Sequence, residues 1–157
     1  MTDQQVAVAS NEARQQKNMV EYLLVTVEKQ LFGVPVLQIQ DVLQEQKVTK
    51  VPLAKEYIHG SLNLRGRIVT VIDVRKKLHM TEEGKKDRSM SVVVEHDGDL
   101  YSLMVDEIAD VMVLPKSEQE KKPVTLDQHL SDVSSGIYQL DGQLMVVLNV
   151  SALLSGF

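Results

Sequence analysis

A chain of 157 residues with 43% hydrophobic side chains is long enough to bury a substantial core, as one domain or as two small halves that share one. With 17 basic against 22 acidic residues, no tryptophan and two phenylalanines, it lacks the basic stripe and aromatic platform of a nucleic-acid binder. It has no cysteine for a disulfide, thiol nucleophile or thiolate metal site, no leader-like start, and no apolar run near the roughly 20 residues of a membrane span, so a cytoplasmic chain is expected.

Residues 1 to 19 are rich in Gln, Ala, Asn and charge without a sustained apolar stripe, and read as a flexible N-terminal tail preceding a domain over 20–157. Tyr22 to Val27 is the first β-branched run. Pro35 to Leu43 reads as a short helix, with proline in the first turn and Val36, Ile39, Val42 and Leu43 on one face. Gly60 to Gly66 reads as a polar turn that holds Asn63 and Arg65 at a strand edge, its glycines allowing positive φ or close backbone approach. Ile68 to Ile72 follows as a strand buried on both faces, and Asp73 caps a short helix from Val74 to His79.

The polar stretch Thr81 to Arg88 reads as a solvated loop, near the place where one sheet hands over to a second. Further strands are expected at Ser91 to Glu95, Leu100 to Val105, Val111 to Leu114, Ile137 to Leu140 and Gln143 to Leu148. Asp97-Gly98 and Asp141-Gly142 mark two tight hairpins, because Asp-Gly suits the positive φ such turns require. Lys116 to Pro123 reads as a loop and Val150 to Leu154 as a closing helix. No internal repeat is evident. Many short strands with few helices indicate a mainly β barrel or sandwich.

A search for catalytic chemistry returns little. His59, His79, His96 and His129 lie in separate segments without metal-ligand spacing, and Glu95-His-Asp-Gly-Asp99 places glycine wrongly for a calcium loop. There is no nucleophile elbow, phosphate loop or dinucleotide turn, and the carboxylate pairs are adjacent or in turns. No catalytic residue, metal or cofactor is expected. A small-molecule hydrolase is the weakest reading of the chain.

Gly60-Ser-Leu-Asn-Leu-Arg-Gly-Arg-Ile-Val-Thr-Val-Ile-Asp-Val-Arg75 resembles the signature of the CheW family of chemotaxis coupling proteins. The likeness extends through Glu21 to Val27, Phe32-Gly-Val34, Ile39 to Val42, Met104 to Val111 and Met145 to Val150. Thr70 stands where the family usually has proline, and Asp41 where it usually has glutamate.

The resemblance implies two packed five-stranded SH3-like β-barrels with short helices, and a non-enzymatic adaptor. Its partners would be the cytoplasmic tip of a chemoreceptor, the regulatory domain of a CheA-type histidine kinase, and other CheW-like domains. Direct membrane insertion is not expected, only recruitment to membrane-associated receptor arrays. A scaffold of another chemosensory or type IV pilus system is the alternative, with the same fold. The resemblance also implies coupling residues: Arg65 with Asp41, the Asn63 and Gly60 frame, and Ile39, Val92, Ile108 and Val111 at a groove between the barrels. From the residues alone, Arg65 reads first as a solvated turn residue, a structural salt bridge with Asp41 is the alternative to a coupling pair, and the four apolar positions read equally as core.

Overall fold

In the computed structural model, residues 18–44, 46–80 and 90–155 are described. Ten strands fall into two five-stranded sheets, ordered β8-β1-β2-β10-β9 and β3-β6-β7-β5-β4. The first barrel joins β1 (Met19–Val27), β2 (Gln30–Pro35), β8 (Glu107–Pro115), β9 (Ser134–Leu140) and β10 (Gln143–Leu148). The second joins β3 (Ile39–Leu43), β4 (Ile58–Leu64), β5 (Arg67–Asp73), β6 (Met90–His96) and β7 (Asp99–Val105). Both coil into SH3-like barrels, and the chain just past one edge strand bridges to the other: Thr49 to Ser61 in the second barrel, Glu120 to Ile137 in the first. Short helices α1 (Val74–Lys77), α2 (Gln128–Asp132) and α3 (Val150–Leu154), with 3-10 turns at Val36–Gln38 and Lys116–Glu118, complete the described elements.

All seven strands expected from β-branched runs are present, and both Asp-Gly hairpins form with φ of 51° and 83° at Asp97-Gly98 and 42° and 79° at Asp141-Gly142. Several expectations are overturned. Pro35 to Leu43 is not a helix: one 3-10 turn at Val36–Gln38 leads into β3, whose residues pair with β6. The apolar residues at helical spacing there serve an edge strand instead, because the ladder on β6 supplies hydrogen bonds that a lone short helix could not match. The Gly60 to Gly66 stretch is mostly strand β4, and its turn is only Arg65-Gly66. Ile68 is 75% exposed, so that strand is not buried on both faces throughout.

Residues 81–89 lie outside the described residues, but the elements before and after them, β5 and β6, belong to one barrel. The chain passes between barrels at 36–38 and at Asp106 instead. Met19 already pairs with Pro115 as strand, and the earlier part of the expected tail, residues 1–17, lies outside the described residues.

The order of strands reveals a repeat that the sequence conceals. β3, β6, β7, β5 and β4 follow each other in one sheet as β8, β1, β2, β10 and β9 do in the other, each with one parallel pair, β5 on β7 and β10 on β2. In this register Gly60-Ser-Leu-Asn-Leu-Arg-Gly-Arg-Ile-Val-Thr-Val-Ile-Asp-Val74 aligns with Gly136-Ile-Tyr-Gln-Leu-Asp-Gly-Gln-Leu-Met-Val-Val-Leu-Asn-Val150. Leu31 to Val42 likewise aligns with Leu100 to Val111. Asp73 and Asn149 even share the role of accepting a backbone N–H at the start of the helix that follows. The repeat escapes notice because little beyond apolar type and glycine is retained, and because the two halves exchange hairpins: β1–β2 completes the barrel of β8–β10, and β6–β7 that of β3–β5.

The exchange explains how the cores are arranged. Side chains alternate across a strand, so each central strand sends one face into its own barrel and the other between the barrels. Leu23, Val25, Val27, Phe32, Val34, Val146 and Leu148 of the first barrel meet Ile72, Val92, Val94, Tyr101, Leu103 and Val105 of the second in one shared core. Tyr22, Leu24, Leu31, Tyr138, Met145 and Val147 fill the first barrel, and Leu43, Leu62, Val69, Val71, Val93 and Leu100 the second.

In the first barrel the Tyr22 and Tyr138 hydroxyls are 3.4 Å apart, and that of Tyr138 donates to the Pro115 carbonyl at 3.2 Å. Burial first, and then the contact with Tyr138, raise the Tyr22 pKa well above its ordinary 10.0. The folded chain therefore keeps Tyr22 neutral where the unfolded chain ionises it. This contribution is intact below about pH 10 and is lost as pH rises above it. Urea midpoints should thus fall steeply on the alkaline side, and Tyr22→Phe should flatten that limb; an unchanged limb would remove Tyr22 as its cause.

Candidate functional site

The β4–β5 turn is a two-residue hairpin loop, Leu64 opposite Arg67, with φ of 50° at Arg65 and 86° at Gly66. Positive φ at both central residues matches the right-handed twist of the flanking strands. Asn63 Oδ1 accepts from the Gly66 N–H at 2.9 Å, so its side chain ties the turn. Gly60 serves a different end. A Cβ there would lie 2.4 Å from the Thr49 carbonyl oxygen and 2.5 Å from Val48, so glycine lets the segment after β3 cross β4. Thr49 and Ser61 then exchange two N–H to carbonyl hydrogen bonds of 2.8 Å.

The turn directs Arg65 back across the barrel seam to the opposite edge strand, where its Nη2 lies 3.1 Å from Asp41 Oδ2. This is a contact of charges, not an aligned hydrogen bond. Asp41 Oδ1 accepts from the Val42 N–H at 2.9 Å, which fixes the carboxylate. The Arg65 side chain remains 79% exposed and that of Asp41 25%. The shorter acid thus still reaches the arginine. Exposed pairs contribute only about 0–1 kcal/mol, so the contact orients the guanidinium more than it holds the fold. The first barrel supports this: its equivalents of Asp41 and Arg65 are Asp110 and Asp141, both acidic and exposed, and it closes without such a pair.

The four apolar positions separate. Val92 is fully buried in the shared core and presents nothing to a partner. Ile39 and Ile108, equivalents in the repeat, are half-buried against that core from opposite barrels, and Val111 on edge strand β8 is 53% exposed. Ile39 and Asp41 both belong to β3, whose other side pairs with no strand among the described residues, so the pair and one of the apolar positions share an edge.

Sequence reasoning missed Arg75, although it closes the quoted motif. It is 2% exposed at the start of α1, with Nη2 2.6 Å and Nε 3.0 Å from Asp106 Oδ1, and Nη1 3.0 Å from Glu28 Oε1. Asp106 Oδ2 also accepts from the Glu28 N–H at 2.7 Å, and the Asp106 N–H donates to Thr26 at 2.9 Å. Burial opposes the arginine's charge, yet the Asp106 hydrogen bond and the surrounding carboxylates raise its pKa. An arginine of one barrel, the β1–β2 turn of the other and the residue where the chain crosses are thus joined at one point.

No group of three or more His, Cys, Asp or Glu among the described residues is placed to hold a metal ion. His79 and His129 come together, with ring centroids 4.4 Å apart, but without such a group. No helix among the described residues is long and apolar enough to cross a membrane.

A family model described as the CheW-like domain matches residues 21–157. The chain belongs to the CheW-like family. Curated relatives named chemotaxis protein CheW include those of Bacillus subtilis, 28% identical over 78% of this chain and 79% of the relative, and Klebsiella aerogenes, 24% identical over 86% and 81%. Among solved structures, the scaffolding protein CheW of Thermoanaerobacter tengcongensis is 26% identical with a TM-score of 0.77, over 87% of this CheW-like chain and 92% of that one. Two SH3-like barrels are therefore the fold both of the family and of this member.

Proposed function

We propose that this CheW-like chain is a non-enzymatic adaptor that joins the cytoplasmic tip of a methyl-accepting chemoreceptor to the regulatory domain of a CheA-type histidine kinase. The observation that carries the proposal is the Arg65–Asp41 pair, an exposed guanidinium held on an edge strand in one barrel and absent from its sister. A planar fork of five donors, already oriented, offers directional hydrogen bonds to acceptors on a partner at little entropic cost. Beside it, Ile39 and Ile108 border the junction of the barrels, where an apolar helical surface of the receptor tip would seat, with Gly60 and Asn63 as the frame of the turn. Edge strands leave N–H and carbonyl groups open for pairing with a similar barrel of the kinase or with other CheW-like domains. Bound to both, the adaptor lets receptor state bias the kinase through a coupling free energy, and the chain works at membrane-associated arrays without entering the membrane.

Arg65→Glu is the test. It should weaken binding of a receptor fragment about tenfold or more while moving the thermal midpoint by no more than a surface substitution does. Equal affinity in mutant and wild type would remove Arg65 from the interface, and loss of the fold would assign the pair a structural role.

One relative favours a second reading. The Pseudomonas aeruginosa protein PilI is 24% identical over 73% of this chain and 65% of its own length. In that reading the same surfaces serve a receptor and kinase of a type IV pilus system, and the identity of co-purifying receptors decides between the two.

A further inference from the structure

The two barrels are built alike but are not filled alike. In the first, the interior positions of β1, β9 and β10 hold Tyr22, Tyr138 and Met145, packed so closely that a Cβ on Gly33 would lie 2.6 Å from the methionine methyl. The rings of Tyr22 and Tyr138 meet edge to face, with centroids 5.5 Å apart. Their equivalents in the second barrel are Ser91, Leu62 and Val69, and Gly33 is replaced by Ser102. Two rings and a long thioether have become two small side chains and one of middle size, and one added hydroxymethyl does not replace their volume.

The space is still there. A hollow of about 140 Å³ lies at this place, lined by Leu62, Val71, Ser91 and Ser102, with His59 and Gln44 also in its wall. Ser102 is fully buried and its hydroxyl has no hydrogen-bond partner among the described residues, which native interiors seldom tolerate. Among the described residues, no Asp, Glu, Lys or Arg side chain lines the hollow. An engineered protein cavity of about 150 Å³ binds benzene, so the size suits one six-membered ring.

We propose that the second barrel binds a small uncharged phenol-class ligand, an aromatic ring with one hydroxyl, in the place that the first barrel fills with its own tyrosine rings. The ring lies against Leu62 and Val71, and the hydroxyl pairs with that of Ser102. Because Leu62 belongs to β4 and Gln44 directly follows β3, the ligand bridges the same two edge strands that Arg65 and Asp41 join.

The test uses the full chain with labelled methyl groups, titrated with phenol and separately with benzene. Phenol should give saturable shifts at Leu62, Val71 and Met104, with little change at Leu24 and Val147 of the first barrel. Ser102→Ala should weaken phenol about fivefold or more and leave benzene nearly unaffected. Leu62→Tyr, which copies Tyr138, should abolish both if the variant folds; the Ser102→Ala comparison stands without it. Absence of saturable shifts up to tens of millimolar, equal shifts in both barrels, or equal loss of phenol and benzene in Ser102→Ala would overturn the proposal.

Discussion

Arg75→Ala should lower stability by about 3–5 kcal/mol, the usual cost of removing one partner from a buried ion pair. The arginine is 2% exposed, and Asp106 and Glu28 at 2.6 and 3.0 Å would be left without their counter-charge. For a domain of this size each kcal/mol moves the midpoint by about 2–4 °C, so a fall on the order of 10 °C is expected by calorimetry. Asp106→Ala should cost as much, and the double variant less than the sum, since the second change removes a charge already unpaired. A midpoint within about 1 °C of wild type for Arg75→Ala would show that the cluster does not join the barrels.

Phe32→Ala should be comparably severe, at about 3–5 kcal/mol, because it leaves a cavity in a core that both barrels line. The shared core makes a further demand. Phe32 belongs to β2, yet Val92, Val94 and Leu103 of the other barrel pack in the same cluster. Hydrogen exchange should therefore show protection lost equally in β2 and in β6, as one cooperative unit. Loss confined to the first barrel would make the barrels separate folding units.

Strand positions were legible where β-branched runs are long and turns carry Asp-Gly, as from Ser91 to Val105 and from Ile137 to Leu148. Reading failed at β2, β3 and β4, where Pro35, Gln38, Gln40, His59 and Gly60 interrupt the apolar pattern and tertiary pairing decides the outcome. The crossing point was misplaced because a polar loop is the ordinary sign of a boundary, whereas hairpin exchange puts the real crossings at a 3-10 turn and at Asp106. Period-2 patterning gave no way to tell which barrel, or the space between them, a strand face would enter. Val92 therefore reads as a candidate contact in the sequence and is a core residue in the fold.

At the site, the Arg65–Asp41 contact was legible through family resemblance and not through spacing, since the partners lie on opposite edges of one sheet. Arg75 was hidden by its place beside Lys76 and Lys77, which reads as a solvated basic turn. Its signal was Asp106, the first of two adjacent acids, directly after the apolar run that ends at Val105.

The most direct measurement is a titration of the labelled chain with a receptor-tip fragment and with the kinase regulatory domain, separately and together. The adaptor account predicts that each binds at tens of micromolar or tighter, that both are held at once, and that Arg65→Glu selectively loses the receptor fragment. Binding of neither partner, or mutual exclusion of the two, would contradict it.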